Sequence, residues 1–552
     1  MAQCRYGSRL LLAALLLLDI ILLQQGALAR NATPAASTEQ LAAGEVNVIL
    51  LMADQMRFDV MGVANNPVAM TPNLDKLSSE GMLFTNAYSS TPTCTPARAA
   101  ILTGLNPWNH GMIGYGSIAH RYPLEIARYL SSVGYMTHSI GKDHFGWNKS
   151  LHEGVPHGYD STMLYDGLLA EDDDYDQWFH SLLPGVDAME TGLTFNDYRG
   201  RAYALPEYYH PTAWVGRHTV EWLDAYDSTQ PFMLKASFHR PHSPYDPPER
   251  VMNLYDPDKM PRPYRGDSWD DVFATKFNKT PDPGIWCGNI TWEDLKTSRQ
   301  AYYASVTYVD EWIGMIYDML QMKGLLDNTL IIFTADHGDM LGDHYHYRKG
   351  YPYEGSAHVP FIIRWPNKNL SPANGGPVVA DRGSRSDKVV ELRDIFPTFA
   401  EASGHSLESA GLKVDGASVL ALLRASPANS DGMATAAPWR QWIDMEHDIC
   451  YNVTNHWNSL TDGKMKYIFN AYSATEQLFN LTADSAEYHD LAAVADYQTE
   501  LKTWRERLVD QFVQEQRGPV WVQNGQLMRR VKGQTYSPNY PKTSTSPAAR
   551  VV

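Results

Sequence analysis

The chain has 552 residues, 44% of them hydrophobic and 20% charged, which excludes wholesale disorder and leaves room for a large α/β core with a smaller partner. Its formal net charge is −17, which excludes nucleic acid and an anionic membrane surface as bulk partners. An anionic substrate would therefore have to be captured by a local cluster of basic residues.

In chain order, the first element is a targeting signal over residues 1–29. Arg5 and Arg9 precede an apolar run from Leu10 to Leu23, broken only by Asp19, and Ala27-Leu28-Ala29 offers a small-x-small cleavage site. The alternative is a retained signal anchor, but the run is short for a membrane span and carries a charge. No later span is apparent, so no stable membrane insertion is expected after cleavage. Asn-x-Ser/Thr sequons at Asn31, Asn148, Asn278, Asn289, Asn369, Asn452 and Asn480 agree with passage through the secretory pathway. Loss of the signal removes Cys4 and leaves Cys94, Cys287 and Cys450. That odd number calls for one unpaired or modified cysteine and one possible disulfide.

From residue 30 to about 430, short apolar runs alternate with helical patterns. The runs are 46–52, 135–140, 232–238, 330–334 and 360–364, and Tyr303, Val306, Val309, Trp312 and Ile313 place a long helix over 298–323. Buried β-runs separated by helices predict a large mixed, mostly parallel sheet sandwiched by helices. Residues 425–438, rich in Ala, Ser, Pro and Asn, read as a linker. Strands at 466–469 and 476–479 and a helix at 497–516 then predict a small C-terminal α+β domain over 431–525. Residues 526–552, with Arg529, Arg530, Lys532 and Lys542 among Pro, Ser and Thr, read as a solvated flexible tail.

The polar residues collect where the apolar runs end. Asp54-Gln55 follows the first, Lys142-Asp143-His144 the second, His239-Arg240-Pro241-His242 the third and Asp336-His337 the fourth. In open α/β sheets ligands bind outside the carboxyl ends of strands, so these groups predict one site. Separately, Pro96 suits the first turn of a helix. Cys94 would then stand at its N-terminus, where backbone N–H groups favour an anion, with Arg98 on the same face. On residues alone, a buried or low-pKa cysteine beside a helix cap is an equal reading.

Cys94-Thr95-Pro96-Ala97-Arg98 followed by Ala99-Ala100-Ile101-Leu102-Thr103-Gly104 resembles the signature of the sulfatase family. Thr71-Pro72-Asn73-Leu74-Asp75, Phe84-Thr85-Asn86-Ala87-Tyr88, Gly141-Lys142-x-His144, Pro241-His242-x-Pro244 and Asp336-His337-Gly338-Asp339 with Lys349 are similar to the same family, in family order. Gln477-Leu478-Phe479-Asn480 adds a weaker C-terminal match. Ala97 stands where the family often has Ser, and Gln55 where it often has a second Asp.

The resemblance implies an alkaline phosphatase-like fold and a sulfuric ester hydrolase whose Cys94 is oxidised to formylglycine by a formylglycine-generating enzyme. It implies a metal shell of Asp54, Gln55, Asp336 and His337 with position 94. Oxygen donors of this kind suit Ca2+ ahead of Mg2+. Arg98, Lys142 and Lys349 would surround the sulfate. His242 would serve the leaving alcohol, His144 would deprotonate position 94 to expel sulfate, and His239 would line the pocket. With Cys94 modified, Cys287 and Cys450 are expected to pair, fixing Glu446 and His447 at the pocket mouth; two buried free thiols are the alternative. His358, in a place where many sulfatases have Arg, together with Glu446-His447, resembles the arylsulfatase K-like branch and implies a sulfated carbohydrate substrate in a lysosomal or extracellular setting. The alternatives are a phosphate or phosphonate monoester hydrolase of the same superfamily and a non-catalytic glycoprotein that binds sulfated glycans.

Overall fold

The strand β1 (Asn47–Ala53) is buried at every position, as a continuous apolar run requires when both faces of a sheet are covered. The structure is a computed structural model describing residues 46–145, 157–167, 173–188, 191–266, 282–367, 370, 377–424 and 439–541. The expected signal, Asn31, Asn148, Asn278, Asn369 and the linker at 425–438 lie outside the described residues.

With β1, the strands β2 (Met82–Tyr88), β3 (Met136–Gly141), β4 (Ser161–Leu164), β5 (Phe232–Phe238), β6 (Thr329–Thr334), β7 (Phe361–Arg364) and β8 (Ser384–Glu391) form one sheet in the order β4-β3-β5-β1-β6-β7-β2-β8. All neighbours are parallel except β7, which runs antiparallel to β6 and β2. The sheet is thus mixed and mostly parallel, as predicted.

Register decides where the site lies. Met52 pairs with both Ser237 and Thr334, Ala53 with Phe238, and Gly141 with Ser237. The four runs that end in polar groups are therefore four neighbouring strands, β3-β5-β1-β6, and they end at one level of the sheet. Helices cover both faces; the longest, Trp292–Met322, is capped by Thr291, whose hydroxyl accepts from the Asp294 N–H. It starts earlier than its apolar periodicity indicated, because that first turn is amphipathic only through Trp292 and Leu295.

A second, antiparallel sheet has the order β12-β11-β10-β9, from β9 (Ile443–His447), β10 (Trp457–Thr461), β11 (Met465–Asn470) and β12 (Thr475–Asn480). The helix Gln498–Gln514 lays Trp504, Leu508 and Phe512 into the core beside it. One expectation is corrected here: residues 526–541 are not a solvated tail. Arg530 is buried, 3.6 Å above the Trp521 ring, and donates to Asp448 and Asn458. Stacking on an aromatic face while paired to a carboxylate fixes a guanidinium that composition alone assigns to solvent.

Candidate active site

The helix Cys94–Thr103 starts after Thr93, whose backbone is extended, carries Pro96 in its first turn, and ends at Gly104 with φ +69°. This fixes Cys94 at the helix N-terminus and Arg98 one turn on, at the carboxyl edge of the central strands. Arg98 is nearly fully buried and spans the site. Its Nε donates to Asp336 at 3.0 Å, Nη2 to Asp54 at 3.2 Å, and Nη1 to the Lys142 carbonyl at 2.6 Å and Ser237 Oγ at 3.2 Å. One guanidinium thereby ties together the ends of β1, β3, β5 and β6.

The Cys94 Sγ stands for the position a modified side chain would occupy. Lys349 Nζ lies 2.9 Å from it, His337 Nε2 3.2 Å, Asp54 Oδ1 3.9 Å and Lys142 Nζ 4.0 Å. Lys142 also pairs with Asp54 Oδ2 at 2.6 Å. Cys94, Asp54, Lys142, Asp336 and His337 have no exposed surface. Burial opposes the charged form of Asp54, but Lys142, His242, Lys349 and Arg98 outweigh it and hold the carboxyl well below its usual value. For His337, burial is outweighed by Asp336, and its pKa is raised.

His144 and His242 behave oppositely. Burial, then Lys142 and Arg98, push His144 well below its usual value, and burial, then Lys349 and Lys142, do the same to His242. Both rings are neutral in the absence of an anion. The His242 Nδ1 lies 2.7 Å from the Ser243 carbonyl, which fixes Nδ1 as the protonated nitrogen. Gln55 and His144 take positive φ values of 66° and 52°, backbone strain that collects at functional sites.

Carboxylate, imidazole and thiol ligand atoms of Asp54, Cys94, Asp336 and His337 all lie within 4.8 Å of one another. Gln55 completes the set. Its Nε2 donates to Asp339 at 2.6 Å, while its buried Oε1 has no hydrogen-bond partner among the described residues. A buried amide oxygen left without a donor is costly unless a cation takes it. The donors are mainly oxygens, so the residues fit a hard divalent cation.

His239 is brought to the pocket, its ring centroid 4.8 Å from that of His242. Arg240 donates to its Nδ1, and its buried Nε2 has no partner among the described residues. His447 is also close, with Nε2 3.0 Å from the hydroxyl of Thr93; burial pushes its pKa down to about 3.

Two expectations are corrected. Glu446 does not face the pocket: adjacent residues of a strand point to opposite faces. Its carboxylate is buried against Arg517 at 2.6 and 2.8 Å and accepts from Asn458. Cys287 and Cys450 are not bonded to each other. Cys287 sits in a bridge to His346, while the Cys450 Sγ points to the Lys349 carbonyl at 3.9 Å. Of the described sequons, Asn289 is exposed, whereas Asn452 and Asn480 are half-buried.

Three supporting residues were given no role from the sequence, although Asp339 lies within the Asp336-His337-Gly338-Asp339 motif. Asp339 orients Gln55, Ser237 receives Arg98, and Asp166 accepts both the Asp143 and His144 N–H groups at 2.8 Å. They are ordinary polar residues until the fold brings them to the site.

The sheet order, the strand-end carboxylates and the buried cations define a hydrolase of the alkaline phosphatase-like α/β architecture. The Sulfatase family model matches residues 46–405. An arylsulfatase of Clostridium perfringens is 35% identical over 84% of this chain and 94% of its own length. Arylsulfatase K of Xenopus laevis is 26% identical over 81% of this chain and 79% of its own length. The crystal structure of a phosphonate monoester hydrolase of Agrobacterium radiobacter superposes with a TM-score of 0.67 at 25% identity, covering 85% of this chain and 96% of that one. The chain belongs to the sulfatase family. It is an enzyme that hydrolyses sulfate esters.

Proposed function

We propose that the enzyme removes sulfate from a sulfated carbohydrate or aryl sulfate, using a formylglycine made from Cys94 and a bound Ca2+. The observation that carries this reading is the surroundings of the Cys94 Sγ: a fully buried side chain at a helix N-terminus, with Lys349 at 2.9 Å and His337 at 3.2 Å. A thiol kept only for packing has no need of two lysines and two carboxylates.

When present, the cation supplies positive charge against the sulfate oxygens, and the formylglycine supplies a hydrated aldehyde as nucleophile. Asp54, Gln55, Asp336 and His337 would hold the cation, and Arg98 holds the two carboxylates in place. Lys142 and Lys349 face the sulfate oxygens and stabilise the charge that grows there in the transition state. His242 exchanges a proton with the leaving alcohol through Nε2, since Nδ1 is committed to the Ser243 carbonyl. Burial is the largest cause of its depressed pKa, followed by the charges of Lys349 and Lys142; an anionic ester between these lysines offsets their part and shifts the ring toward the imidazolium. His144, neutral by the same logic, accepts the proton that leaves position 94 when sulfate departs. His239 and His447 line the pocket.

Maturation in the secretory pathway by a formylglycine-generating enzyme, with a lysosomal or extracellular destination, follows from the expected signal and the Cys-x-Pro-x-Arg motif. Peptide mass is the direct test: the Cys94 peptide of secreted protein should be lighter by about 18 Da, the difference between thiol and aldehyde. An unmodified cysteine in active enzyme overturns the nucleophile. The similarity to a phosphonate monoester hydrolase supports a second reading, on phosphate or phosphonate esters, which equal-concentration rates on the two ester classes decide.

A further inference from the structure

The loop Gly111-Met112-Ile113-Gly114-Tyr115-Gly116-Ser117 takes no part in the chemistry above, yet its central ring stands over it. Tyr115 meets the His144 ring edge-on at 6.2 Å. Cys94, Lys142, His144, His239, His242 and Lys349 are all buried, whereas Tyr115 is half-exposed. Burial, together with the nearby Cys94, Tyr451 and Asp54, raises its phenol well above the usual value. It is therefore a neutral aromatic at the rim of a charged pocket. Tyr451, also half-exposed, is within reach of the same field and lies nearly parallel to Trp286.

The C-terminal segment holds this loop in place. The Thr535 carbonyl accepts from the Ile113 and Gly114 N–H groups at 3.1 and 3.0 Å, and the Ser537 N–H donates to the Gly111 carbonyl at 2.8 Å. The Tyr536 hydroxyl accepts from the Ser117 N–H at 2.9 Å, and the Tyr540 hydroxyl donates to the Ser117 carbonyl at 2.8 Å. A Cβ on Gly116 would come within 2.5 Å of both Thr535 and Tyr536, and one on Gly111 within 2.3 Å of Tyr540. The glycines on both sides of Tyr115 thus let the segment lie directly against the loop.

We infer that Tyr115 is the wall on which a ring of the leaving alcohol rests, and that residues 533–540 are the strut that positions it. The enzyme then selects esters of pyranose or aryl alcohols over esters of short acyclic ones. This rests on the sulfatase reading for the identity of the anion, but its content concerns the alcohol. Flat C–H or π faces pack on an aromatic ring irrespective of the charged group attached.

The test is steady-state kinetics of Tyr115→Ala and Tyr115→Phe on 4-nitrophenyl sulfate, glucose 6-sulfate and methyl sulfate. The alanine variant should raise KM about tenfold on the ring esters, as loss of an aromatic contact does, with kcat little changed and methyl sulfate unaffected. Phenylalanine should behave as wild type. Losses confined to one ring ester assign the wall to that alcohol class. The double variant Tyr536→Phe, Tyr540→Phe should give a smaller rise on ring esters at an unchanged thermal midpoint. Equal effects of Tyr115→Ala on ring and methyl esters, or no effect on either, overturn the wall. A lower midpoint of the double variant without ring selectivity overturns the strut. Phenyl and methyl phosphonate esters run alongside separate the two readings, because a wild type that prefers them refutes the sulfate assignment while the ring-versus-methyl contrast is still read.

Discussion

Replacing Asp54 with asparagine removes an anion that several buried cations share. Lys142 Nζ lies 2.6 Å and Arg98 Nη2 3.2 Å from Asp54 Oδ2, and neither Asp54 nor Lys142 has exposed surface. At the Lys142 separation, an effective dielectric of about 20 gives an attraction of roughly 6 kcal/mol. Deleting one partner of a buried pair costs about 3–5 kcal/mol, since the stranded charge keeps its desolvation penalty. Asparagine still offers an acceptor oxygen, so the lower end of that range is expected. The assay is urea unfolding at neutral pH with chelator, which removes any contribution from the metal, followed by Ca2+ titration of the folded variants. Asp54→Asn should lose about 3 kcal/mol and bind Ca2+ more weakly. Adding Lys142→Met should recover most of the stability, because no ammonium is left unpaired, while turnover stays lost. The pKa of Asp54 is depressed. Its contribution is therefore present above the unfolded carboxyl value of about 3.9 and is lost as pH falls through the lower folded value. The difference between wild type and Asp54→Asn should vanish in that acid window. A single variant as stable as wild type in chelator, or a double variant less stable than the single, refutes the ion-pair argument.

Two other substitutions test placements away from the chemistry. Glu446→Gln should destabilise the fold by about 2 kcal/mol, because Arg517 loses its two charged hydrogen bonds to Glu446 but keeps Glu515 at 2.6 Å, and leave KM unchanged; a raised KM at unchanged stability would return Glu446 to the pocket. Glu487, buried beside Lys466 and Glu354, has its pKa raised to about 7, burial being the largest cause. A raised acid pKa means stability falls as pH climbs from the unfolded value of about 4.3 toward that folded value. Glu487→Gln should flatten the thermal-midpoint profile across this window, and an unchanged slope would show that another group titrates there.

What the sequence made legible follows from burial. β1, β3, β5 and β6 are covered on both faces and have parallel partners, so their apolar runs are continuous and their ends stand out as the first polar residues. β4 and β8 are edge strands with exposed, polar positions. A run such as Ser384–Glu391 has no apolar pattern to detect until β2 is beside it. β9 was missed for a related reason: Ile443-Asp444-Met445-Glu446-His447 looks like a charged loop. Its acid and histidine are buried only because Arg517 and Thr93, 71 and 354 residues away, arrive to meet them. The reading of Glu446 failed at that point, since adjacency to His447 in sequence says nothing about which face of a strand each occupies.

The charges at the site also say where selectivity must reside. Arg98, Lys142 and Lys349 oppose Asp54 and Asp336, an excess of one positive charge (three minus two), and a divalent cation raises it to three. In a dry pocket that excess favours any tetrahedral oxyanion and rewards a doubly charged one at least as well as a singly charged sulfate ester. Charge therefore cannot separate sulfate from phosphate or phosphonate, in keeping with the architecture this chain shares with a phosphonate monoester hydrolase. Discrimination has to come from groups that do not read charge. On the reacting side that is position 94, whose proposed oxidation would decide which nucleophile is present. On the alcohol side it is the neutral rim, where Tyr115 stands half-exposed against His144. The protein's net charge of −17 sharpens the point, because a long polyanionic chain gains nothing from the field outside the pocket. Affinity for such a substrate must be made within reach of one sulfate and the ring that carries it.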